Sequence, residues 1–403
     1  MIRIAFLLTL QLLSLVCICQ TMPNYFDKAL KGKYNVGFKR YYHTNNARIF
    51  ADTCHSEKNI IARPTIINLW YPTYADKGKK IQIRDLIRFK SDNPTQHRFN
   101  DLMTTSQYKL SMFYTYADRN GDSYDSSITT WKTDTKTKFF KYYNLTTNAL
   151  LNAPMVNQQF PLVAYHPGLG GTADDSFLFA EYLASHGYIV ITGAYQSNDC
   201  TDISIGWNLD ISLNEIDVLL DFANEKIHNV DMTKVFGAGH SYGAQAMLAY
   251  AAISSTPVLG FIITDNSADY EETYKLQEFQ KLKDRIYPKI KQITKPLFVV
   301  ARTSATFKII DSLKYCNRYY LKIPNMDHND FTSQGAIAKL IEYDISKDFK
   351  NLKQPYINYI FQIQASLKFM ESVLNKTGFT WAAPVDASNQ LLFEYTPTGT
   401  SKY

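Results

Sequence analysis

The chain of 403 residues reads as an α/β protein: a mostly parallel central sheet with helices on both faces and an antiparallel part at its N-terminal side. Three observations predict this. From residue 161 onward, strand and helix signals alternate, as expected when parallel strands are joined by crossover helices. Residues 34–42 and 63–71 have the β character of antiparallel strands that begin such a sheet. Between these regions and the C-terminus, a strand turns into a helix through Gly239-His240-Ser241-Tyr242-Gly243.

The elements follow from local pattern. Pro161–Tyr165 is a short apolar strand, and 174–186 has the spacing of an amphipathic helix that stops at Gly187. Tyr188–Thr192 is the next strand. Residues 207–227 form a long helix, with Leu209, Leu213, Ile216, Leu219 and Leu220 on one face. Thr233–Ala238 is a strand, 244–252 a helix of small residues, and Leu259–Thr264 and Pro296–Ala301 are further strands. The last strand is expected at Arg318–Ile323, before helical sequence that runs to about Leu374. Residues 85–152 are polar, tyrosine-rich and weakly periodic, an insertion at the sheet edge or a lid. No linker divides the chain, so residues 20–403 are expected to form a single domain.

The strand–Gly-His-Ser-Tyr-Gly–helix unit matches the nucleophile elbow of the α/β-hydrolase fold. The glycines leave room for a sharp turn, and the serine takes a strained backbone conformation that exposes its hydroxyl. A serine needs a general base within hydrogen-bond reach and an acid to orient that base. In this fold their order is serine, acid, histidine. His328 is the only histidine after Ser241, which makes it the base. The acid is expected at Asp265, which closes the strand after the elbow, in preference to Asp311, with Asp269 and Asp327 also nearby. An oxyanion hole needs two fixed amides. Tyr242, directly after the serine, supplies one, and Leu169 in the loop His166-Pro167-Gly168-Leu169-Gly170-Gly171 supplies the other. His166 and His240 are expected to be structural.

Composition narrows the function classes. Hydrophobic residues make up 45%, enough for a full core. The formal net charge is +6, but the basic residues are scattered and form no nucleic-acid stripe. Arg3 followed by an apolar run to Ile18 has the form of a secretory leader with cleavage between Cys19 and Gln20, which places the mature protein outside the cytoplasm, secreted or periplasmic. No other apolar run is long enough to span a membrane. Of five cysteines, Cys54, Cys200 and Cys316 remain after such a cleavage, allowing one disulfide. No Cys-x-x-Cys or His-x-x-x-His spacing indicates a metal, and no cofactor motif is present.

Several stretches together resemble α/β-hydrolases of the platelet-activating factor acetylhydrolase and dienelactone hydrolase type. They are residues 160–171 and 183–190, the elbow, Gly260–Asp265 and His328–Phe331, with Tyr34–Gly37 and Leu69–Pro72 at the N-terminal side. The resemblance implies a serine esterase that acts without metal or cofactor on short acyl or otherwise accessible esters, with small-molecule, lipid and polyester ester substrates all open. Dienelactone hydrolases carry cysteine where Ser241 stands, so the acetylhydrolase side is the better match. Pro167 and residues 85–152 depart from the shared core. The alternatives are acyl transfer or amide hydrolysis with the same triad, or a non-catalytic binding module.

Overall fold

A computed structural model describes residues 31–52, 59–124, 126–193, 207–254, 256–346, 353–381 and 391–400. The expected leader, Cys54 and Cys200 lie outside the described residues. The strands are β1 (Asn35–Asp52), β2 (Asn59–Thr73), β3 (Lys80–Gln82), β4 (Thr146–Leu151), β5 (Phe160–His166), β6 (Ile189–Gly193), β7 (Val230–His240), β8 (Val258–Thr264), β9 (Leu297–Arg302), β10 (Arg318–Ile323) and β11 (Leu392–Thr396). They form one sheet in the order β11-β10-β9-β8-β7-β5-β6-β2-β1-β4-β3. The run from β6 to β10 is parallel, and β2 joins it antiparallel through Ile67–Trp70.

Alternation along the central strands sends side chains to both faces and creates two cores. In β5, Leu162 and Ala164 enter one core while Val163 and Tyr165 enter the other. In β9, Leu297 and Val299 part from Phe298 and Val300 in the same way. Helices α3 (Phe177–Ser185), α7 (Ser333–Ser346) and α8 (Lys353–Asn375) cover the Val163 face. Helices α4 (Leu209–Lys226), α5 (Tyr242–Ala251) and α6 (Gln277–Ile286) cover the other. Asn208 caps α4 by accepting from Ile211 N–H, so the apolar stripe starts where its capping residue allows.

Two sequence expectations need correction. Arg318–Ile323 is not the last strand: β11 pairs antiparallel with it. A five-residue edge strand with exposed Leu392 and Tyr395 leaves a faint apolar pattern. The helix expected over 174–186 begins at Phe177, because Asp174 and Asp175 turn into the interior, where Asp174 accepts from Tyr142 OH and Asp175 from Tyr165 OH. Residues 85–152 hold helices α1 (His97–Met112) and α2 (Thr133–Tyr143), a π-helical turn (Phe113–Ala117) and strand β4, which pairs parallel with β1. This segment widens the sheet and also packs beside the loop that follows β5.

The β1–β2 hairpin is longer than its sheet neighbours require. Its outer half carries Phe50 and Ile66 onto Phe99 and Met103 of α1 and onto Ala173, a small third core. The rings of Phe50 and Phe99 meet edge to face at 4.9 Å. Arg63, fully buried on β2, donates from Nε to Glu215 Oε1 of α4 at 2.8 Å, and Arg48 pairs with the same oxygen. A buried ion pair tolerates the loss of one partner poorly, because the remaining charge has lost its compensation. Glu215→Ala is expected to cost about 3–5 kcal/mol of unfolding free energy in urea titrations. A cost below about 1 kcal/mol, the range of a surface ion pair, would refute this account.

Candidate active site

The carboxyl ends of the parallel strands set the site, as in open α/β sheets generally. Register brings them level: His166 of β5 lies opposite Gly239 of β7, His240 opposite Thr264 of β8, and Thr264 opposite Val300 of β9. The loops leaving these strands therefore begin at the same height. At the elbow Ser241 has φ 56° and ψ −119°, far from any ordinary well for a residue with a Cβ. Its N–H donates to Thr264 O at 2.9 Å. Packing explains the glycines on either side. A Cβ on Gly243 would lie 2.0 Å from His166 O, and one on Gly239 would lie 2.4 Å from Gly243 O.

The three residues expected to form a triad come together. His328 Nε2 lies 2.7 Å from Ser241 Oγ, and its Nδ1 lies 2.6 Å from Asp265 Oδ2. With Asp265 as acceptor, Nδ1 carries the proton and Nε2 accepts from the serine hydroxyl. The three are graded in exposure: Asp265 is fully buried, Ser241 is 8% exposed and the His328 side chain 34%. Lys339 of α7 steadies the histidine loop through ion pairs to Asp327 at 2.7 Å and to buried Asp330 at 2.5 Å.

The other acids sit elsewhere. Asp311 accepts from Tyr320 OH at 2.5 Å, and Asp327 faces Lys339. Burial alone would raise the Asp265 carboxyl, but hydrogen bonding and charge interaction with His328, aided by Tyr270, hold it below its ordinary value. Arg302 at the end of β9 adds an amide donated to Asp265 Oδ1 at 3.2 Å, and its Nε donates to Tyr270 OH at 3.0 Å. Sequence reasoning missed Arg302 and Tyr270. Arg302 carried a usable signal, a charge closing an apolar strand at the carboxyl edge of the sheet, whereas Tyr270 carried none.

His240 is pushed down to about 3, first by burial and then by the neighbouring His328. It therefore stays neutral, its Nε2 3.0 Å from the His328 carbonyl oxygen and its ring 4.7 Å from the His328 ring. His166 is likewise held down to about 3 by burial, with Nδ1 2.7 Å from Pro167 O. Both histidines pack in the framework of the site, as the sequence suggests.

The glycine loop lies against the serine: a Cβ on Gly168 would stand 3.3 Å from Ser241 Cβ. Gly171 N–H donates to Gly168 O at 2.9 Å, closing a tight turn with Gly170 at φ 61°. Asp175 holds the loop from within, accepting from Tyr165 OH at 2.9 Å and from Gly168 N–H at 3.4 Å. Gly168 thus has its amide engaged, and Leu169 follows it, 43% exposed. Tyr242 is the first residue of α5, so its N–H belongs to the opening turn, where amides have no partner within the helix.

Donor atoms of His240, Asp265 and His328 lie within 4.8 Å of one another, close enough to share a cation. The Asp265 and His328 atoms already bond each other, so a metal there would compete with the chain that reaches Ser241.

No family model and no curated protein matches the chain. Among solved structures it is similar to a ferulic acid esterase from Streptomyces cinnamoneus, with TM-score 0.51, 13% identity, and 89% of this chain and 97% of that chain covered. Est1E from Butyrivibrio proteoclasticus aligns with 49% of this chain and 90% of its own at 16% identity, and its TM-score of 0.35 is too low to define a shared fold. Topology, elbow and the full-length likeness together define the chain as having the α/β-hydrolase fold.

One buried acid beside the site is poorly compensated. Asp269 is fully buried, and its carboxyl oxygens reach no close hydrogen-bond partner beyond weak relief from the Asn266 side chain. Burial, then Asp311 and Asp265, push it well above its ordinary value. The folded state therefore keeps it neutral, while the unfolded chain ionises it near 3.8. That preference stabilises the fold fully only below the unfolded value, and the contribution is lost as pH rises toward the folded one. Asn cannot ionise, so Asp269→Asn is expected to gain stability over the wild type as pH rises from 4.5 to 8. Urea unfolding at both pH values checks this, and a gap that is constant or shrinks with pH would overturn it.

Proposed function

We propose that this protein is a serine hydrolase that cleaves carboxylic esters, with Ser241 as nucleophile, His328 as general base and acid, and Asp265 as the orienting carboxylate. The observation that carries the reading is the unbroken hydrogen-bond chain from Ser241 Oγ through His328 to Asp265. Ser241 Oγ bonds to the ester carbonyl carbon as its proton passes to His328 Nε2. Ionised Asp265 stabilises the imidazolium so formed. The N–H groups of Leu169 and Tyr242 stabilise the oxyanion. The carbon–alkoxy bond then breaks, His328 returns the proton to the leaving alcohol, and an acyl-enzyme remains. A water deprotonated by His328 attacks it, and Ser241 leaves with the proton restored.

An acid placed after the strand that follows the elbow strand supports the acetylhydrolase-like reading, and a serine nucleophile weighs against dienelactone hydrolysis. The ferulic acid esterase likeness adds aromatic acyl groups to the small-molecule, lipid and polyester esters worth testing. The expected measurement is hydrolysis of a p-nitrophenyl ester chain-length series and of an alkyl ferulate. Ser241→Ala and His328→Ala should each lower kcat by about four to six powers of ten, and Asp265→Asn by about four. Turnover that persists in Ser241→Ala would rule out this nucleophile. Reaction with a fluorophosphonate but with no ester would keep the nucleophile and dismiss ester hydrolysis.

We also propose export, on the leader form of the first 19 residues. Intact mass of the product from a secreting host should place its N-terminus at Gln20, and a chain retained from Met1 would refute the leader.

A further inference from the structure

We propose that Tyr114 is a positioning residue for the oxyanion loop, its hydroxyl holding the Leu169–Gly170 peptide in the orientation that catalysis requires. This rests on the hydrolase reading above and adds a residue that no motif of the fold contains. The loop needs an external hold. Gly170 occupies the third position of the turn closed by Gly171 N–H and Gly168 O, with φ 61°. A glycine there lets the central peptide face either way at small cost, since the two common turn types differ chiefly in that flip. The neighbouring peptide carries the Leu169 amide, so an unheld turn would leave that donor ill-directed.

Helix α1 and the turn after it supply the hold. Gln107, Ser111 and Tyr114 recur at the spacing of one helical face, and all three reach the connection from β5 to α3. Gln107 Oε1 accepts from Ala173 N–H at 2.7 Å, and Ser111 Oγ donates to Asp174 Oδ2 at 2.8 Å. Tyr114 OH donates to Leu169 O at 3.1 Å, the carbonyl of the peptide that could flip. The same hydroxyl fills the space over Gly170, where a Cβ would lie 3.2 Å from it. Tyr114 stands in the π-helical turn Phe113–Ala117, a departure from regular helix of the kind often found at functional sites.

Because a fixed amide matters most when charge develops on the substrate oxygen, the loss should fall on kcat and leave KM little changed. Tyr114→Phe keeps the ring and removes only the hydroxyl. Two rates in the full chain test it: kcat on a p-nitrophenyl ester, and the second-order rate of Ser241 phosphonylation by a fluorophosphonate, which also develops negative charge on an oxygen in the hole. Both should fall together by about tenfold or more, less than removal of a donor outright, with KM within about twofold and the thermal midpoint nearly unchanged. Rates within about twofold of wild type, or a loss confined to KM, would overturn the proposal. So would a loss that tracks a fallen midpoint and disappears on cooling the assay. A wild type that is phosphonylated but cleaves no ester removes the esterase reading alone, since the phosphonylation rates still decide the role of Tyr114. A wild type inert to the fluorophosphonate overturns both.

Discussion

The contact on which the site depends is the close approach of Gly243 to the backbone of the neighbouring strand's exit loop, where a Cβ would stand 2.0 Å from His166 O and 2.4 Å from Pro167 O. That approach seats the first turn of α5 against β5. Once it is seated, the chain between β7 and α5 has one residue in which to reverse, and Ser241 must take a positive φ. The same contact joins the serine to the glycine loop, because the carbonyls that would meet the Cβ open that loop. Ser241 and the glycine loop are thus parts of one packed unit. The strain at Ser241 is sustained by the burial of the flanking strand and helix, which lie almost wholly in the two cores.

Charge is arranged with comparable economy. Several ionisable groups crowd the carboxyl edge of the sheet, yet burial keeps most of them neutral. His166 and His240 resist protonation, and Asp269 resists ionisation. Asp265 is different because an imidazole, a tyrosine and a backbone amide all offer it protons. The result is a buried negative charge aimed at one histidine. A neutral His240 adds no competing cation beside His328, and Arg302 balances the carboxylate with its Nε 3.8 Å from Asp265 Oδ2.

Much of this was legible in the sequence where chemistry demands residues at short spacing. The elbow, the glycine loop and the acid after β8 are each a strand end followed by a fixed local pattern, and a lone histidine after the serine left one candidate base. The central strands were legible because they are buried on both faces and therefore continuously apolar. What stayed hidden depends on long-range contact. Tyr114 and Gln107 act across about 60 residues of chain onto the loop, and helix α1 buries polar Asn100, Gln107 and Ser111 among Phe99, Met103 and Leu110, which blurs its apolar period. Asp174 and Asp175 read as the start of a helix, since their inward bonds replace a helical role that local pattern would assign them. β4 was obscured in the same way, for its partner β1 lies a hundred residues earlier.

The sheet's two margins are finished in different ways. At one, β3 has three residues and begins with Lys80, a short charged border that offers little to an incoming strand. At the other, β10 is a regular apolar strand whose outer side is occupied by β11, with Tyr319 and Tyr395 stacked at 4.8 Å. Residues 392–396 thus act as a selvedge, binding off an edge that would otherwise present open backbone groups to other molecules. A chain ending before Leu392 would leave the outer side of β10 open as a template for intermolecular pairing, far from Ser241 and the glycine loop in strand order.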